Sequence, residues 1–198
     1  MIVCEDKQIL YFHNPKTAGS SITYALAPHC TYKHNLNGLV MNEGWQGMFH
    51  HDGYMHRVMS HIDYTIFNHY FKFSFVRNPF DLVASYWEKS RHELGSLEEF
   101  LQSEHFPGNN SLKFLQTEFL DVNALDYVGR YENLNVDWSY IAKRFGLYER
   151  LPQINAREHK MFTDYRPHYT TEARKIVEER YKKDLEKLDI INLMQRHI

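Results

Sequence analysis

Apolar residues along this chain switch between two rhythms: short unbroken runs, such as Ile9-Leu10-Tyr11-Phe12, and longer stretches in which they recur three and four positions apart. The first rhythm suits strands covered on both faces, the second helices with one buried side. The run at 9–12 is expected as a strand, followed by a short helix on Ile22, Ala25 and Leu26. Lys72-Phe73-Ser74-Phe75-Val76 is a second strand. Asn78-Pro79 behind it supplies an N-cap and a proline at the first helical position, so a helix with Phe80, Val83, Ala84 and Trp87 inside should start there. Ser96-Leu97-Glu98-Glu99 fits a capping box, with Leu97, Phe100 and Leu101 on the apolar side and Pro107-Gly108 as the stop.

Residues 111–120 read as helical and Tyr127-Val128-Gly129-Arg130-Tyr131 as another short strand. A further helix covers 136–145, with Trp138, Ile141, Ala142 and Phe145 on one face and Gly146 placed to end it. From Thr171 onward, Ile176, Val177, Tyr181, Leu185 and Leu188 mark one amphipathic terminal helix, its charges on the solvated side. Strands separated by helices predict an α/β fold of three layers, a central parallel sheet flanked by helices, with ligands at the carboxyl ends of the strands.

Composition narrows the partners. No repeat, biased tract or linker interrupts the pattern, so residues 1–198 are treated as a single domain. The 25 acidic and 23 basic residues nearly cancel, which argues against a nucleic-acid-binding surface and requires any anion site to be concentrated in one pocket. Cys4 and Cys30 are too few and too far apart for a disulfide framework and read as reduced thiols. No apolar stretch approaches a membrane span, and the first residues lack a signal-peptide layout, so a soluble, cytoplasmic protein is expected. The sequence sets no oligomeric state.

Two segments at strand ends carry the chemistry. Pro15-Lys16-Thr17-Ala18-Gly19-Ser20-Ser21 follows the first strand and opens a helix, where backbone N–H groups and the helix dipole favour an anion. Gly19 allows close approach, Lys16 brings a point charge, and Thr17, Ser20 and Ser21 offer hydroxyls and N–H groups. The loop departs from G-x-x-x-x-G-K-[ST], because its lysine precedes the glycine and no first glycine is present, so a magnesium-dependent kinase is disfavoured. In Val76-Arg77-Asn78-Pro79-Phe80-Asp81, Arg77 can grip a phosphate with two parallel bonds, and Ser85, about two turns along the helix, adds a hydroxyl.

These residues resemble a known family. The first segment resembles the 5′-phosphosulfate loop, and Val76-Arg77-Asn78-Pro79 with Ser85 and Tyr86 the 3′-phosphate motif, of sulfotransferases that use 3′-phosphoadenosine-5′-phosphosulfate (PAPS). Gly129-Arg130-Tyr131-Glu132-Asn133-Leu134 and Tyr169-Thr170-Thr171-Glu172-Ala173 are similar to the branch that includes the Golgi carbohydrate sulfotransferases. Ala18 stands where glycine is common, Ser20 where threonine is common, and Leu82 where arginine is frequent. The resemblance implies a P-loop-like fold and transfer of a sulfuryl group from PAPS to an acceptor hydroxyl or amine, leaving 3′,5′-ADP, without a metal. It also implies that Lys16, Thr17, Ala18, Gly19, Ser20, Ser21, Arg77 and Ser85 hold the nucleotide. By the same resemblance Lys16 would stabilise the leaving group, and Arg157 and Lys160 would join from a late loop.

The acceptor needs a base, and a group titrating near neutrality favours histidine. His61, in Met59-Ser60-His61-Ile62, resembles the Gly-His element of the carbohydrate branch, with Ser60 in place of glycine; His56 and Glu43 are the alternatives. The spacing of His50, His51, His56 and His61 matches no common zinc pattern. Arg130 reads as structural, paired with Glu132. Aromatic residues between Trp45 and Phe73 belong mostly to the core, and a few could line a pocket for a small-molecule or saccharide acceptor. The alternative function is a non-catalytic nucleotide-binding or interaction protein on the same fold.

Overall fold

The computed structural model describes residues 1–29, 68–107, 111–153 and 164–195, and within them the apolar run Ile9–Phe12 forms strand β2 with all four side chains fully buried. An edge strand, β1 (Ile2–Cys4), runs antiparallel to it with Val3 opposite Leu10. β3 (Phe71–Val76) lies parallel on its other side, Tyr11 opposite Phe73, and β4 (Tyr127–Arg130) continues the parallel ladder with Phe75 opposite Gly129. The sheet order is therefore β1-β2-β3-β4. The helices in chain order are α1 (Gly19–Leu26), α2 (Pro79–Leu94), α3 (Leu97–Gln102), α4 (Gln116–Phe119), α5 (Leu134–Phe145), α6 (Thr171–Arg180) and α7 (Lys182–Gln195).

Successive strand residues point to opposite faces, so one run can supply two cores. Ile9 and Tyr11, with Phe73 and Phe75, pack against Ile22 and Leu26 of α1 and Trp138, Ile141 and Ala142 of α5. Leu10 and Phe12, with Val76 and Val128, pack the other way against Phe119, Leu120 and Leu188. That double burial is why the strand reads as an unbroken apolar run, and it confirms the three-layer α/β expectation. A third cluster joins Val83, Ala84 and Trp87 of α2 to Leu97 and Phe100 of α3 and to Ala173 and Val177 of α6.

Local signals set several boundaries. Asn78 caps α2 by accepting the Phe80 N–H on its side-chain oxygen (2.9 Å), and α2 starts at Pro79 as the sequence predicts. The capping box of α3 is complete: Ser96 Oγ accepts the Glu99 N–H and Glu99 accepts the Ser96 N–H. Gly146, left-handed at φ 63°, ends α5.

Four expectations change. β1 was not expected and gives the parallel sheet an antiparallel edge. Residues 111–120 are not one helix but a 3₁₀ turn, Ser111–Lys113, and then α4. The break arises because the Asp184 carboxylate accepts the N–H groups of Gln116 (2.8 Å) and Thr117 (3.0 Å), starting a new helix after extended Leu115. The terminal helix divides at Tyr181, whose buried hydroxyl donates to the Leu112 carbonyl (2.8 Å). α3 also ends at Gln102, ahead of Pro107.

Candidate functional site

β2 and β3 are parallel neighbours, so the loops that leave their carboxyl ends lie side by side. In the first, Lys16 (φ 64°) and Ala18 (φ 63°) are both left-handed, and the chain turns sharply into α1. Ala18 is the N-cap and carries no side-chain oxygen to satisfy the first turn. The first four N–H groups of a helix have no acceptor within it, which makes this end suited to an anion. Ser20 and Ser21 sit in that first turn, Ser21 buried and Ser20 half-buried.

The loop is braced from below. The Thr17 hydroxyl donates to the Asn14 carbonyl (2.7 Å), and Thr17 has no exposed surface, so its hydroxyl serves the turn and not the concave side. A Cβ on Gly19 would lie 1.9 Å from His13 Nε2, which means the imidazole packs directly on the glycine. His13 is buried at the end of β2, and burial pushes its pKa down to about 3, so the wedge is a neutral ring. Lys16 is half-buried, and its Nζ lies 5.0 Å from the centre of the Tyr86 ring on α2.

Arg77 closes the second loop onto the first. Its Nε donates to Asp81 (2.7 Å), one helical turn on, and its Nη1 donates to the Lys16 carbonyl (2.8 Å). The guanidinium plane lies over Tyr131, 3.9 Å from the ring centre. Nη2 has no hydrogen-bond partner among the described residues. Ser85 is half-buried, and its hydroxyl donates to the Leu82 carbonyl (2.7 Å); serving a phosphate requires it to turn outward.

Behind the arginine, Glu132 pairs with Arg130 (3.5 Å) and accepts the Asn78 N–H, while Arg130 donates to the Leu188 carbonyl (3.1 Å). Those contacts are structural, as the sequence reading has them. Asp81, Asn14 and Gln116 escaped that reading. Asp81 had a signal, since an arginine and an aspartate at i, i+4 are neighbours on a helix. Gln116 had none, because it lies in a stretch read as plain helix.

His61, its alternatives His56 and Glu43, and the late-loop cations Arg157 and Lys160 lie outside the described residues. So do Cys30 and the histidines at 50 and 51. Among the described residues, no three His, Cys, Asp or Glu side chains converge as a metal site, and no helix is long and apolar enough to cross a membrane.

The chain matches the sulfotransferase family over residues 1–193. Comparison with curated proteins and with solved structures gave no match.

Proposed function

The chain belongs to the sulfotransferase family, and from that premise we propose that it moves a sulfuryl group from PAPS to an acceptor hydroxyl and releases 3′,5′-ADP. The observation that supports this reading is the bond from Arg77 Nη1 to the Lys16 carbonyl, which ties together the two loops read as anion grips. A nucleotide with phosphates at both its 5′ and 3′ positions has the matching charge pattern. The donor supplies an activated sulfuryl group on a phosphate; the chain supplies orientation and charge. Backbone N–H groups at the start of α1 hold the 5′-phosphate, and the open end of the Arg77 fork, with Ser85, holds the 3′-phosphate.

In the transfer step the acceptor oxygen forms a bond to sulfur while the bond from sulfur to the bridging oxygen of the 5′-phosphate breaks. Lys16 neutralises the charge that grows on that oxygen. The acceptor proton passes to a base, for which His61 is the choice. The acceptor itself is assigned as a saccharide hydroxyl, on the resemblance to the carbohydrate branch. The near-neutral net charge favours an uncharged sugar over a heavily sulfated glycan.

His61→Ala tests the assignment. We expect turnover of radiolabelled PAPS on a panel of saccharide acceptors to fall by roughly 10²–10⁴-fold, the range for loss of one general base, with 3′,5′-ADP affinity unchanged. Full turnover in the variant would move the base to His56 or Glu43.

A further inference from the structure

Gln116 is 2% exposed, and its carboxamide is fixed by chemistry as well as by packing. Two donors converge on its Oε1: the Arg77 N–H (2.9 Å) and Asn14 Nδ2 (2.9 Å). Its Nε2 donates to the Arg77 carbonyl (2.7 Å). Turned over, the amide would present its NH₂ to two donors and its oxygen to a carbonyl, so only one orientation is satisfied. The side chain thus pairs with Arg77 as a neighbouring strand would, one residue past Val76, where the β3 to β4 register ends.

A closed circuit results. Asn14 also donates to the Phe75 carbonyl (3.0 Å) and accepts the Thr17 hydroxyl on its own carbonyl (2.7 Å), which ties it into the phosphate loop. From Asn14 the circuit runs through Gln116 to the Arg77 backbone, out along the guanidinium to the Lys16 carbonyl, and back along the chain. Gln116 is anchored in turn by its own N–H on Asp184. Every member is buried or half-buried, where a lost partner is costly.

We propose that Gln116 is a positioning residue that sets the separation of the two anion grips and thereby the preference for a nucleotide phosphorylated at both the 5′ and 3′ positions. This rests on the assignment of Arg77 to the 3′-phosphate. Buried as it is, Gln116 acts through its bonds, holding the Arg77 backbone in register with Asn14.

The test is the ratio of dissociation constants for 5′-AMP and 3′,5′-ADP, measured by calorimetry on the full chain and two variants. Gln116→Leu removes all three bonds. Gln116→Glu keeps the shape and the acceptor but sets an oxygen against the Arg77 carbonyl. A purely structural role would lower thermal stability and weaken both nucleotides together, leaving the ratio alone. Positioning predicts a ratio reduced by roughly tenfold or more in either variant, through 3′,5′-ADP, equivalent to losing one such bond. Should Gln116→Leu fail to fold, the isosteric Gln116→Glu decides. A wild-type protein selective for 3′,5′-ADP with an unchanged ratio in the folded variants overturns the role of Gln116. A wild-type protein with no selectivity overturns the Arg77 assignment, and the inference with it.

Discussion

Ala18 holds a methyl group where the backbone is left-handed, φ 63°, a conformation that costs a non-glycine residue roughly 1–2 kcal/mol. Glycine would relieve that cost at some expense in unfolded-state entropy, so Ala18→Gly should raise stability by about 0.5–1 kcal/mol in urea denaturation. One position on, the argument reverses. Gly19→Ala drives a methyl into the buried His13 ring and should lose about 1–3 kcal/mol, as overpacking does, and weaken 3′,5′-ADP binding. His13 also gives the molecule a pH dependence. Its folded pKa is about 3 against an ordinary value of 6.5, so below pH 6.5 the unfolded chain takes up a proton that the folded chain refuses. Stability is then fully present above pH 6.5 and falls as the pH drops toward 3, by at most about 1.4 kcal/mol per pH unit for one proton. His13→Gln should flatten the stability curve measured between pH 7 and 4.5; an unchanged slope would mean that His13 is protonated in the fold.

Elements with local causes were legible in the sequence. The α3 capping box lies within four residues, and Ser96→Ala should cost about 1 kcal/mol. β2 and β3 announced themselves as apolar runs because both their faces are covered. α4 was not legible, since its start is set by Asp184, 68 residues from Gln116. Asp184→Ala leaves the Gln116 and Thr117 N–H groups and the Thr117 hydroxyl without their acceptor, and should cost about 2–4 kcal/mol in the same denaturation assay. A loss no larger than that of Ser96→Ala would mean that α4 forms without the distant cap. The division of the terminal helix has the same kind of cause. Tyr181 reads as one more apolar helix position, yet its hydroxyl is held by Leu112 on a remote turn.

At the scale of the whole molecule, the parallel pairing of β2 and β3 is enough to bring two separate motifs side by side. Both motifs were visible in the sequence because each is a contiguous strand-loop-helix segment, and the family match over residues 1–193 agrees with the resemblance read from them. What binds them together was not visible: the Arg77 bond to the Lys16 carbonyl and the Asn14–Gln116 amides join residues up to 102 positions apart. The segment that carries His61, which the sequence reading assigns to the acceptor side, is left largely without strand or helix by the apolar pattern. The central claim, that the joined grips hold a nucleotide with phosphates at both its 5′ and 3′ positions, is therefore best tested on the donor side. Calorimetric titration of the full chain with 3′,5′-ADP in magnesium-free buffer, set against ATP with magnesium, is the direct measurement. We expect 3′,5′-ADP to bind without metal and more tightly than ATP, and Arg77→Ala to weaken it by about 1–3 kcal/mol. Magnesium-dependent binding of ATP with no response to 3′,5′-ADP would contradict the account.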